Sequence, residues 1–222
     1  MQRLVLFDLD NTLIDRNDAI QDWAAQFADR YSLAHHASTQ LVDSVRERAF
    51  PATFEAIRAQ YGLQPSADSL WRQYCSDIAA AVTCSGRVLA GMDALRATGW
   101  RVGIATNGAT DIQNTKLQAT GLIGRVDGVC VSESVGARKP ATAVFEAAAV
   151  ACGSRLSQGG WMVGDSPETD IDGGRRAGLR TIWIRNGHAW PDRLAAPDHC
   201  VPDAEAAIAL LLADDCSRSV TT

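Results

Sequence analysis

The chain has 222 residues, 46% of them hydrophobic, which is enough for one sizeable core or for a core with a small accessory domain. Charged residues make up 21%, the net charge is −5, and no dense run of lysine or arginine occurs, so no nucleic-acid partner is expected. No stretch approaches the roughly 20 apolar residues of a membrane span, and the opening MQRLVLFDLD turns acidic too soon for a signal peptide, so no membrane association and a cytoplasmic location are expected.

In chain order, RLVLFD at 3–8 reads as a first apolar strand. Helical periodicity follows. Ile20, Trp23, Ala24, Phe27 and Tyr31 share one helical face, Phe54, Ile57 and Tyr61 mark another helix that Gly62 stops, and Leu70, Tyr74, Cys75 and Ile78 mark a third. From residue 86 onward a rhythm sets in: a helical stretch ends in glycine and a short apolar strand comes next. The expected strands are 100–106, 127–131, 161–165 and 179–184. Strands alternating with helices imply a parallel sheet covered on both faces. The expected fold is therefore α/β, a Rossmann-like doubly wound parallel sheet with an inserted helical cap domain. Residues 1–15 and 87–213 are assigned to the core, 16–86 to the cap and 214–222 to a flexible tail. A block that long exceeds the single helix of an ordinary crossover. The aromatic residues Trp23 and Trp71 are expected to be core, and His35, His36, His188 and His199 surface or loop residues. The six cysteines, which include no C-x-x-C pair, are expected to be reduced thiols.

Open parallel sheets bind ligands beyond the carboxyl ends of their strands. The first strand ends in Asp8 and Asp10 (FDLDNTLID), the second in Thr106 and Asn107 (IATNG). Lys139 follows the third (GARKP), and Asp165, Ser166 and Asp170 follow the fourth (GDSPETD). Thr110 and Gln113 have the spacing of a capping box, Pro140 is suited to start a helix, and Ser166 is suited to cap one opened by Pro167. Several carboxylates in one crevice repel one another, and a hard cation relieves that repulsion. Oxygen donors without histidine or cysteine suit Mg²⁺ rather than zinc. Such a cation can bind a phosphate oxygen, a lysine and a hydroxyl can hold the other oxygens, and a carboxylate can attack phosphorus.

These four segments resemble the four motifs of the haloacid dehalogenase superfamily: D-x-D-x-T/V at Asp8–Thr12, threonine at Thr106, lysine at Lys139, and G-D-x(3,4)-D at Gly164–Asp170. The resemblance is to the phosphatase branch with a helical C1-type cap. It implies that Asp8 is nucleophile and metal ligand, and that Asp10 is general acid then base, with its backbone carbonyl on the metal. It further implies that Thr106 and the Asn107 backbone N–H hold the phosphoryl group and that Lys139 neutralises Asp8 and that group. Asp165 would complete the Mg²⁺ site, with Asp170 as an indirect partner. The expected function is Mg²⁺-dependent hydrolysis of a small phosphomonoester, a sugar phosphate or nucleoside monophosphate, through an aspartyl phosphate. The partner would be a small phosphorylated metabolite; the sequence leaves oligomeric state open. The competing readings are a haloacid dehalogenase, which does without the second aspartate, and a non-catalytic phosphate-binding or regulatory module.

Overall fold

The structure, a computed structural model, describes residues 2–34, 36–47 and 49–219, with side chains through residue 213. It divides into two compact units, one of Met1–Ile14, Cys84–Asn107 and Gly121–Thr222, the other of Asp15–Thr83 and Gly108–Thr120.

The first unit is built on six parallel strands: β1 (Leu4–Phe7), β2 (Arg101–Thr106), β3 (Gly128–Val131), β4 (Trp161–Gly164), β5 (Arg180–Ile184) and β6 (His199–Val201). Their order is β3-β2-β1-β4-β5-β6. β1 therefore lies centrally between β2 and β4, with Phe7 level with Ile104 on one side and Val163 on the other. Its four residues, LVLF, are fully buried, which is why it reads as a continuous apolar run rather than an alternation. The helices flanking the sheet, α5 (Gly86–Ala97), α7 (Thr142–Ala151), α8 (Gly173–Arg176) and α9 (Ala204–Ser219), come in alternation with strands. α7 packs on β2 and β3 through Val144, Phe145, Ala148 and Ala149. Each such side chain contributes about 1–3 kcal/mol by leaving water. The strand order reverses at β1, and the crevice beyond the ends of β1 and β4 is where this topology places a ligand.

The second unit is helical: α1 (Arg16–Arg30), α2 (Ala37–Arg46), α3 (Pro51–Tyr61), α4 (Ala67–Ala81) and α6 (Thr110–Ala119). Trp23 and Trp71 are buried as expected, in a cluster where Trp23 meets Tyr74 edge-on at 4.9 Å and Trp71 stacks on Tyr74 at 5.7 Å. The Trp71 indole donates to Asp111 at 2.6 Å, joining α4 to α6.

Several local expectations need correction. A sixth strand exists; His199-Cys200-Val201 carries no apolar run, and its register is held by Asp198, which accepts from the Thr181 backbone N–H at 2.8 Å. His199 lies in that strand, with its ring tilted against Trp161 at 5.6 Å, rather than standing in a loop. Helix α2 was not evident, because Leu41, Val42 and Val45 span little more than one turn. Gly108–Thr120, read as core, groups with the helical unit, since Ile112 and Leu117 of α6 are buried there. The N-cap of α6 is Ala109, without a side-chain cap bond, one residue before the Thr110 expected to cap that helix. Pro140 follows a cis peptide bond and precedes the helix, which starts at Thr142. Helix α9 runs to Ser219, into the segment 214–222 assigned to a flexible tail; residues 220–222 lie outside the described residues, as does His35. Among the described residues no single helix is long and apolar enough to cross a membrane.

Candidate active site at the carboxyl ends of the strands

Asp8 is the first residue beyond β1. Its N–H still bonds to the Val163 carbonyl at 2.9 Å, so the sheet itself fixes its backbone. The chain then folds into a tight turn: Asn11 adopts the left-handed region at φ 58°, and the Leu13 N–H returns to Leu9 at 2.9 Å. Asp10 sits half-buried on this turn. Thr106 is the buried last residue of β2, two residues past the level of Phe7. Asp165 directly follows β4. Asp170 lies on the π-helical segment Pro167–Asp172, which Ser166 opens by accepting from the Thr169 N–H, the capping role expected of that serine.

Lys139 is 3% exposed and reaches two carboxylates at once. Its Nζ lies 2.6 Å from Asp8 Oδ1 and 2.7 Å from Asp170 Oδ1. Oxygens of Asp8, Asp165 and Asp170 all lie within 4.8 Å of one another. The Thr12 hydroxyl donates to Asp165 Oδ1 at 3.5 Å. Three segments widely separated in sequence, Asp8–Thr12, Lys139 and Asp165–Asp170, therefore meet in one largely buried cluster.

Two side chains do more here than their motifs suggest. Asn107, expected to act through its backbone, uses its side chain to hold Lys139: its Nδ2 donates to the Lys139 carbonyl at 3.1 Å and its Oδ1 accepts the Lys139 N–H at 2.9 Å. Asp170 spends both oxygens on the protein, Oδ1 on Lys139 and Oδ2 on the Ser166 N–H at 3.1 Å. Neither arrangement leaves a sequence signal beyond the residue types themselves, since both depend on long-range pairing.

The electrostatics show a surplus of negative charge. Burial pushes the Asp8 carboxyl up from 3.8 to about 8; Lys139 opposes this, while Asp170 and Asp165 add to it. Burial likewise raises Asp165 to about 7, with Asp170 and Asp10 adding to the rise and Lys139 opposing it. For Lys139 burial disfavours the charge, but Asp170 and Asp8 outweigh it, so its ammonium is held on more firmly than usual. One ammonium serves several carboxylates in a water-poor crevice. The set is all oxygen, without histidine or cysteine, and fits a hard divalent cation that would supply the missing positive charge.

Gly164 makes this packing possible. A Cβ there would sit 2.3 Å from Asp170 Oδ2, a carboxylate already pinned by Lys139 and the Ser166 N–H. Gly164→Ala is expected to displace Asp170 and with it Lys139, lowering kcat by about 10-fold or more while far-ultraviolet circular dichroism remains that of the parent. Unchanged kcat would show that the cluster tolerates this displacement.

Comparison with known proteins gives a consistent picture. The family model described as haloacid dehalogenase-like hydrolase matches residues 5–184. Phosphoserine phosphatase from Thermus thermophilus is 30% identical over 187 residues, which cover 84% of this chain and 66% of that protein, just under two thirds of its length. Pyrimidine 5'-nucleotidase PynA from Streptococcus pneumoniae is 27% identical over 217 residues, 89% of this chain and 90% of that protein. The crystal structure of 2-haloacid dehalogenase from Pseudomonas syringae pv. Tomato DC3000 is 26% identical, covers 96% of this chain and 99% of its own, and matches with a TM-score of 0.67.

Proposed function

The chain belongs to the haloacid dehalogenase-like hydrolases, and from that premise we propose that it is a Mg²⁺-dependent phosphatase of small phosphomonoesters acting through a phosphorylated Asp8. The observation that carries this is the contact of buried Lys139 with Asp8 at 2.6 Å, beside a second carboxylate pair, Asp165 and Asp170, that leaves net negative charge for a cation to offset. The names of the phosphoserine phosphatase and the nucleotidase support a phosphomonoester as substrate. A sugar phosphate or a nucleoside monophosphate is the class we favour, and the helical unit is read as the cap that selects it.

In this reading Asp8 and Asp165 offer carboxylate oxygens to Mg²⁺, and Asp10 offers its backbone carbonyl. Bound Mg²⁺ would bind a phosphoryl oxygen and offset charge on it and on the carboxylates. Thr106 and the Asn107 N–H hold the remaining phosphoryl oxygens, and Lys139 neutralises both Asp8 and the phosphoryl group. An Asp8 oxygen attacks phosphorus while the ester oxygen departs with a proton from Asp10. Asp10, now ionised, takes a proton from water, and the water oxygen attacks the phosphorus of the aspartyl phosphate. Inorganic phosphate leaves, and Asp8 returns as a carboxylate. Asp170, with both oxygens occupied, holds Lys139 in place rather than touching substrate.

The purified protein is expected to release phosphate from an aryl phosphate with Mg²⁺ and to stop when EDTA is added. Full activity in EDTA would reject the metal role. Halide release from a 2-haloacid in place of phosphate release would favour the dehalogenase reading that the shared fold with the Pseudomonas enzyme allows.

A further inference from the structure

The long connection between Ile184 and His199 is tied down at several points around the carboxylate cluster. Trp183, buried near the end of β5, donates its indole N–H to the backbone carbonyl of Asp165 at 2.8 Å. The N–H of the same peptide unit, that of Ser166, is held by Asp170 Oδ2. The peptide joining Asp165 to its turn is thus clamped on both sides. At the other loop, Asn186 donates from Nδ2 to the carbonyl of Asn11 at 2.7 Å, and the N–H of that peptide, on Thr12, points to Leu9. Asn186 and Asn11 are both in the left-handed region, at φ 44° and 58°, a conformation that asparagine tolerates better than most residues.

The connection carries its own fastenings too. Trp190 packs edge-on against Trp183 at 5.0 Å and donates to the Leu194 carbonyl. Arg175 of α8 holds the carbonyls of Ala195 and Ala196 at 2.6 and 2.8 Å. Arg193 pairs with Glu168 on the segment that carries Asp170.

We propose that the end of β5 and the connection from it to β6 form a brace for the active site, in which Trp183 of the strand and Asn186 of the connection are positioning residues that fix the Asp165 loop and the Asp10–Thr12 loop respectively. Neither side chain acts on substrate; each holds a backbone carbonyl whose loop carries a carboxylate of the site. The inference rests on the phosphatase reading for its consequence, weaker Mg²⁺ binding and slower turnover, and on hydrogen-bond geometry alone for the bracing itself. Outer hydrogen-bond partners of metal sites are worth about 10–100-fold in metal affinity or activity.

The test uses the full chain with Trp183→Phe, which keeps an aromatic ring and deletes the N–H, and Asn186→Gly, which keeps left-handed backbone freedom and deletes the amide. Amide hydrogen exchange should rise within residues 164–170 in the first variant and within 9–14 in the second, with the rest of the sheet unchanged. Calorimetric titration with Mg²⁺ should show about tenfold weaker binding in each, and kcat for an aryl phosphate should fall about tenfold while KM at saturating Mg²⁺ stays within twofold. Exchange unchanged in both loops would overturn the brace, whatever the parent's activity. Parent-like Mg²⁺ affinity and kcat in both variants of an active parent would overturn it as well. A parent that neither binds Mg²⁺ nor hydrolyses the ester would sink the phosphatase reading, and the exchange data would still decide the brace.

Discussion

Asp8→Asn is expected to abolish turnover without harming the fold. The amide keeps the shape and an acceptor for Lys139, but it is a poor nucleophile, and loss of a covalent nucleophile costs about 10⁴-fold or more in kcat. The stability effect should run the other way. Burial and two neighbouring carboxylates make the Asp8 charge unfavourable in the metal-free protein, so removing it relieves repulsion. Thermal unfolding in EDTA at pH 8 should give a Tm equal to or above that of the parent, with the gain from added Mg²⁺ largely lost. A variant retaining turnover within tenfold would remove Asp8 from the role of nucleophile.

Lys139→Met should be damaging on both counts. The methionine fills similar volume but leaves Asp8 and Asp170 buried without the ammonium they share. Deleting one partner of a buried ion pair typically costs about 3–5 kcal/mol, which for a chain of this size corresponds to a Tm lower by roughly 6–20 °C. Catalysis should fall by about 10²–10³-fold, the usual loss when a group that stabilises developing charge is removed. The two substitutions at either end of one 2.6 Å contact thus have opposite predicted effects on stability. Thermal unfolding of both, side by side in EDTA, checks the pair; equal losses of Tm would contradict the charge surplus.

Much of this geometry is legible in the sequence, and the reason is topological. Apolar runs that stop at Asp8, Thr106 and Asp165 announce strand ends, and parallel strands carry all such ends to one edge of the sheet. Lys139 lies well beyond the end of β3 at Val131, so its likeness to a motif singles it out, and Asn107 explains its placement by gripping its backbone on both sides. That grip, the pairing of Asp170 with Lys139, and the reach of Trp183 to the Asp165 carbonyl link positions far apart in the chain, and no local pattern encodes them. Trp183 looks like any other apolar residue of a buried strand. β6 stayed hidden because its pairing rests on backbone bonds and on Asp198, not on an apolar run. The grouping of α6 with the other helices depends on where Ile112 and Leu117 find partners, which periodicity leaves undetermined.

The most direct test of the central claim, that a buried surplus of carboxylate charge is there to hold a divalent cation, is calorimetric titration of the metal-free protein with Mg²⁺ across pH. In the metal-free fold, Asp8 and Asp165 titrate near 8 and 7 instead of 3.8. Between about pH 4 and 8 the folded chain therefore holds more protons at these groups than the unfolded one, and their ionisation lowers stability as pH rises through that window. Mg²⁺ must displace those protons. One Mg²⁺ per chain should bind, more tightly at pH 8 than at pH 6, with protons released on binding. A folded protein that takes up no Mg²⁺ at pH 8, or that binds it with the same affinity at both pH values, would contradict the claim.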